Sequence, residues 1–145
     1  MPSAPDDASD PSLPESLGGV AALLDIELVE TSPERVTASM PVTPRHHQPF
    51  GALHGGVSVV LAESVASVGA HLAAPDGYTA VGMEVNANHV RSVREGRVAA
   101  VGTPLHTGRT SHVWDVKIHH EGDTLICVSR CTLAIVEHAP ERTAS

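Results

Sequence analysis

Aromatic side chains are almost missing from this chain: Phe50, Tyr78 and Trp114 are the only three in 145 residues. Base-stacking platforms for single-stranded nucleic acid need several exposed rings, so that class is disfavoured. Positive charge is scarce as well. Nine Lys and Arg stand against seventeen Asp and Glu, and a net charge of −8 weighs against a nucleic-acid partner. Residues 1–34 carry eight acids and no Lys or Arg, whereas residues 35–145 are balanced. The acidic excess therefore reads as a solvated N-terminal segment. That end lacks a basic region followed by an apolar run, so no secretory signal is expected. Cysteine is limited to Cys127 and Cys131. Four residues apart in a strand, they would lie about 13 Å from each other, beyond the ~7 Å that a disulfide can bridge. They are expected as packed thiols in a reduced, cytoplasmic protein.

What is present is enough for one core. Forty-one percent of residues are hydrophobic and 18% charged, which fits a single globular domain. The organisation expected is an acidic tail over 1–14, a domain over 15–138 and a short tail over 139–145. Leu17–Leu24 reads as a short helix, with Ser16 as its cap and Gly18-Gly19 weakening it. Strands are expected at Ile26–Glu30 and Arg35–Pro41, followed by a polar loop from Thr43 to Leu53. From Gly55 to Leu72 a stripe of Val57, Leu61, Val65, Val68 and Leu72 runs at helical spacing, with Val59, Ala62, Ala66 and Ala70 filling much of the remaining surface. Such a helix is expected at the centre of the fold, enclosed by protein. Glu63, His71 and three serines interrupt it, so it does not read as a membrane span. Four strands follow, Thr79–His89, Arg97–His106, Ser111–His119 and Thr124–Glu137, joined by short turns. Close spacing without a second long helix implies an antiparallel sheet around one long helix, an α+β architecture.

The chemistry concentrates in residues 46–67. Gly55-Gly56 opens the helix, where first-turn N–H groups lack intrahelical partners and the helix dipole favours negative charge. That geometry suits the oxyanion of a carbonyl under attack, although a glycine pair also serves a plain tight turn. Glu63 lies two turns further on, with no Lys or Arg between Gly55 and Leu72 to neutralise it. It is either a carboxylate on a solvated edge or a nucleophile or general base in a semi-apolar cleft. Ser67, one turn beyond, shares its face. Gln48 brings a donor and an acceptor to the helix entrance. Ser58 lacks the second glycine of a nucleophile elbow, and no zinc-protease, paired-cysteine or dinucleotide motif occurs. The ten histidines include the adjacent pairs His46-His47 and His119-His120 but no ligand framework, so no metal is expected.

The run Gln48-Pro49-Phe50-Gly51 followed by His54-Gly55-Gly56-Val57-Ser58-Val59-Val60-Leu61-Ala62-Glu63-Ser64 resembles the hotdog-fold acyl-CoA thioesterases of the phenylacetate-pathway class. Asn86–Val98 and Val113-Trp114-Asp115-Val116 fit the same group. Within it, the chain is most similar to the bacterial 1,4-dihydroxy-2-naphthoyl-CoA thioesterases of menaquinone synthesis and their aryl-CoA relatives. The likeness covers residues 17–137. It implies a hotdog fold, a dimer with one continuous sheet, usually paired again into a tetramer, and active sites shared between subunits. By position it makes Glu63 the catalytic carboxylate and Gly55 the backbone donor that polarises the thioester carbonyl. It places Gln48 and His54 near the thioester from the opposite subunit, and Ser67 at a hydroxyl position beside the carboxylate. His89 and Arg91 would line the acyl-CoA path, and Gly108, Arg109, Thr110 and Ser111 the loop near pantetheine and nucleotide. Arg91, Arg94 and Arg97 cluster locally and could meet the CoA phosphates, or could simply edge an exposed turn.

The chemistry expected is hydrolysis of an aromatic or bulky acyl-CoA without metal or bound cofactor, since a thioester needs only a carboxylate and an oxyanion site. Two other readings are a hotdog enoyl-CoA hydratase or dehydratase, using His54 with Glu63, and a non-catalytic acyl-CoA-binding module.

Overall fold

The computed structural model describes Leu13 and residues 16–138. The tails expected over 1–14 and 139–145 lie outside the described residues, except Leu13, which packs half-buried against the core. In chain order the elements are α1 (Gly19–Leu23), β1 (Glu27–Thr31), β2 (Val36–Pro41), a 3-10 turn at Pro44–His46, α2 (Gly55–Ala73), β3 (Tyr78–His89), β4 (Arg97–Thr107), β5 (Ser111–His120) and β6 (Thr124–Glu137). All ladders are antiparallel and form one six-stranded sheet in the order β1-β2-β4-β5-β6-β3. The expected α+β architecture is therefore the observed one.

Local differences from expectation have local causes. The first helix begins at Gly19 because Gly18 and Gly19 both take positive φ, 64° and 49°. That left-handed kink delays helix entry and is cheap only for glycine. Ser16 is not the cap; Gly18 holds that position, and the Ser16 hydroxyl accepts the Gly18 N–H at 3.2 Å. Ile26 stays out of β1 because its N–H closes the end of α1 onto Ala21 O at 2.9 Å.

Alternation builds the core. Val36, Ala38 and Met40 on β2, Val98 and Ala100 on β4, and Trp114, Val116 and Ile118 on β5 face α2 and are buried. Trp114 lies over Gly69, where an added Cβ would fall 2.3 Å from its ring. Cys127 and Cys131 are free and share this inner face. Burial, with Glu63 and Glu84 nearby, pushes the Cys131 thiol up to about 11, so it remains a neutral packing group.

α2 departs from expectation in one respect. By length and composition alone it could cross a membrane, yet it packs on the sheet with Leu61, Ala62, Val65, Ala66, Gly69 and Ala70 buried. It is not enclosed on all sides. Val59, Val60, Glu63, Ser64 and Ser67 form a half-open flank, because a single sheet can cover only one side of a helix. Among the described residues β3 has one free edge, since β6 pairs with it on the other side only. Val81 and Met83 on that edge strand are 52% and 66% exposed.

Candidate active site

The loop before α2 is fixed by its histidines and glutamine. His46 is fully buried, with Nε2 2.8 Å from Leu24 O and Nδ1 accepting the Thr43 N–H at 3.1 Å. His47 Nε2 lies 2.8 Å from Arg94 O, and His47 bridges to Leu53. Gln48 accepts the Phe50 N–H through Oε1. One lone pair of its amide oxygen is thus engaged, and its Nε2 has no acceptor among the described residues.

At the helix start four amides need partners. His54 Nδ1 accepts the Gly56 N–H at 2.8 Å, and His54 O accepts those of Val57 and Ser58 at 3.0 and 3.2 Å. The Gly55 N–H alone of this first turn has no partner among the described residues. Because Nδ1 of His54 accepts, the neutral ring carries its proton on Nε2. Gln48 and Gly55 share one cavity and offer donors that suit an oxygen gaining negative charge, whereas His54 is exposed and does not line that cavity.

Imidazole rings lie close over both glycines. A Cβ on Gly55 would lie 3.0 Å from the His89 ring, and one on Gly56 2.9 Å from the His54 ring. His89 reaches across from β3 with Nε2 3.2 Å from Gly55 O. Gln48, Gly55, Ser58, His89 and Arg91 line one cavity of about 440 Å³. Arg91 also borders an adjoining cavity with Asp123 and Leu125. Arg94 is committed to Phe50 O at 3.0 Å and Arg97 to the Ser39 hydroxyl at 2.9 Å. Of the three clustered arginines, only Arg91 has no hydrogen bond or ion pair among the described residues.

Glu63 and Ser67 lie elsewhere. They line a groove of about 560 Å³ together with Leu17, Val20, Val59 and Val68, between α1 and the open flank of α2. No described residue forms an ion pair or hydrogen bond with the Glu63 carboxylate, which is half-buried. Eight residues of helix separate it from Gly55, about 12 Å along the axis. The turn carrying Gly108, Arg109, Thr110 and Ser111 is also remote from Gly55. It is held by Gly108 N–H to Ser111 O and Ile135 N–H to Thr110 O, and Ser111 pairs with Ala134, the partner of Val81. One chain thus brings Gln48, Gly55, His89 and Arg91 together and sets Glu63 with Ser67 apart from them.

Gly82 is a site residue that the motif reading missed. An added Cβ there would lie 2.8 Å from Glu63 Oε1, so the carboxylate rests over a bare strand position. The available signal was an isolated glycine within a strand, which marks a bulge or a close approach; the β3–β6 register shifts here, between Gly82 and Glu84. In Gly82→Ala the flexible carboxylate swings aside, so stability should change by less than about 1 kcal/mol. Displacing the reacting group should lower kcat on the order of 10- to 100-fold. A thermal melt beside steady-state kinetics checks both, and unchanged kcat would show that the carboxylate need not rest there.

The structure thus carries a half-buried carboxylate on an apolar groove and an unpartnered amide at a helix entrance, both on a sheet folded over one helix. Residues 50–127 match the family model of the thioesterase superfamily. A 1,4-dihydroxy-2-naphthoyl-CoA hydrolase of Escherichia coli is 49% identical over 119 residues, covering 82% of this chain and 88% of that protein. The proofreading thioesterase EntH of Cronobacter turicensis is 41% identical over 121 residues, covering 83% and 88%. A crystal structure of a mutant of thioesterase PA1618 from Pseudomonas aeruginosa superposes with a TM-score of 0.80 at 47% identity, covering 83% of this chain and 88% of that one. The chain belongs to the thioesterase superfamily, with the hotdog fold, and is a thioester hydrolase.

Proposed function

We propose that this enzyme hydrolyses aromatic or other bulky acyl-CoA thioesters to the free acid and coenzyme A, with 1,4-dihydroxy-2-naphthoyl-CoA as the first candidate. The observation that carries this reading is the Glu63 carboxylate, without a partner among the described residues, on the wall of an apolar groove. That groove, bordered by Leu17, Val20 and Val59, takes the acyl group, and a water or the thioester carbon meets the carboxylate at its wall. Arg91, uncommitted at the rim of the other cavity, meets the anionic end of CoA. Glu63 acts as base toward water or as nucleophile. In either route the carbonyl electron pair moves onto oxygen, the thiolate leaves, and one water is consumed. The reaction needs no metal or bound cofactor, because the thioester is already activated. Two free, buried cysteines fit a reducing cytoplasm.

The working unit in this reading is a homodimer, able to pair again into a tetramer. Reacting groups must converge within about 3 Å of one carbon, which a 12 Å helical separation forbids within one chain. The free edge of β3 offers the remedy, since a second copy pairing there antiparallel extends the sheet. A dyad beside Val85–Asn86 would set His89, and the Gly55 it touches, opposite Gly82 of the second copy and therefore near its Glu63.

Steady-state hydrolysis across aromatic and aliphatic acyl-CoAs tests the substrate class. Higher kcat/KM for aryl-CoAs is expected, and a preference for short aliphatic chains would overturn it. Hydration of a crotonyl-type substrate without thiol release would favour the hydratase reading, and binding without turnover the binding-module reading.

A further inference from the structure

Ser58 is 1% exposed, one of four buried polar residues, and it borders the cavity that holds Gly55. Its N–H bonds to His54 O at 3.2 Å, but its hydroxyl has no hydrogen-bond partner among the described residues. Ser64, on the same helix, shows the usual alternative: its hydroxyl folds back onto Val60 O at 2.6 Å. The atoms buried without a partner among the described residues are His112 Nδ1 and Trp114 Nε1, so the Ser58 hydroxyl is not sealed in the core but opens onto that cavity. Position explains it. Ser58 is three residues beyond Gly55 and shares its helix face. Helical side chains lean toward the N-terminus, so the hydroxyl lies over the turn that starts with the unpartnered Gly55 N–H.

We propose that Ser58 is a further catalytic residue, whose hydroxyl donates a hydrogen bond to the thioester carbonyl oxygen in addition to those from the Gly55 N–H and the Gln48 amide. This rests on the reading of Gly55 as the carbonyl-polarising group. As water adds to the thioester carbon, Glu63 takes the water proton and the carbonyl π pair becomes an oxyanion lone pair. The Gly55 N–H and the Ser58 O–H hold that oxyanion, with no proton leaving Ser58. Collapse re-forms the carbonyl, breaks the C–S bond, and the thiolate takes the proton held by Glu63. Gly55 and Ser58 lie on one chain, so this donor pair is complete before any partner binds.

The test compares Ser58→Ala and Ser58→Cys with wild type and Glu63→Gln, using the best aryl-CoA substrate and thermal melts. Losing one oxyanion donor should lower kcat about 10²-fold in Ser58→Ala, with KM within roughly twofold. Thermal stability should stay level, since the hydroxyl removed has no partner among the described residues and opens onto the cavity. Ser58→Cys, close in size with a weak donor, should fall between the two. If Ser58→Ala fails to fold, the Cys variant decides: a drop in kcat at unchanged KM supports the proposal, and wild-type kcat overturns it. Retention of more than a third of wild-type kcat in Ser58→Ala also overturns it. Full activity in Ser58→Ala with Glu63→Gln inactive removes Ser58 alone, whereas full activity in both removes the whole site reading.

Discussion

Glu63→Gln is expected to reduce kcat on the order of 10²-fold or more while KM moves little. Gln keeps the size and hydrogen-bonding capacity of Glu but has neither charge nor basicity, which both base and nucleophile roles require. Binding should survive because the groups assigned to CoA, Arg91 and His89, border a different cavity. The melting temperature should hold or rise, as no described residue pairs with the carboxylate being removed. Ser67→Ala, on the same groove, should cost less, since a hydroxyl there orients and does not react. More than a tenth of wild-type kcat in Glu63→Gln would strip Glu63 of its role. Unfolding would make it a structural residue instead.

The sequence carries most of the fold because its punctuation is strong. Gly55-Gly56 and Pro75-Asp76-Gly77 bracket α2, and the structure moves its end by one residue, from Leu72 to Ala73. The bounds of β6 coincide with those expected, since Gly122 turns the chain before it and Val, Ile and Thr dominate it. Where glycine adopted positive φ without a turn signature, at Gly18 and Gly19, the reading slipped. Site residues were legible by type and less so by place. Gln48, Gly55 and Glu63 lie within sixteen residues and look like one constellation. The helical rise separates them into two half-sites, a division the family resemblance implied by setting Gln48 and His54 on the subunit opposite Glu63 but spacing alone does not show. Gly82 and the orphan hydroxyl of Ser58 were out of reach for the same reason: their meaning depends on what lies opposite or remains unpaired in space, which spacing along the chain does not encode.

That separation yields the second large effect. If each active site takes Glu63 from one copy and Gln48 with Gly55 from the other, two inactive variants can repair each other. Glu63→Gln and Gln48→Ala each place one lesion in both sites of a homodimer, so each alone should be nearly inactive. In a mixed dimer both lesions fall in one site and the other site is wild type. Random mixing makes half the dimers mixed, so co-expression or refolding together should restore about a quarter of wild-type activity. Native mixing without exchange should restore nothing, which provides an internal control. Sites built within single chains predict no recovery under any mixing, as every chain would carry a lesion of its own. Absence of recovery, with mixed dimers demonstrated by mass, would therefore refute a site that joins Glu63 of one copy to Gln48 and Gly55 of the other. Recovery near a quarter would show that the Glu63 groove of one copy and the Gln48–Gly55 cavity of the other are the two sides of one composite active site.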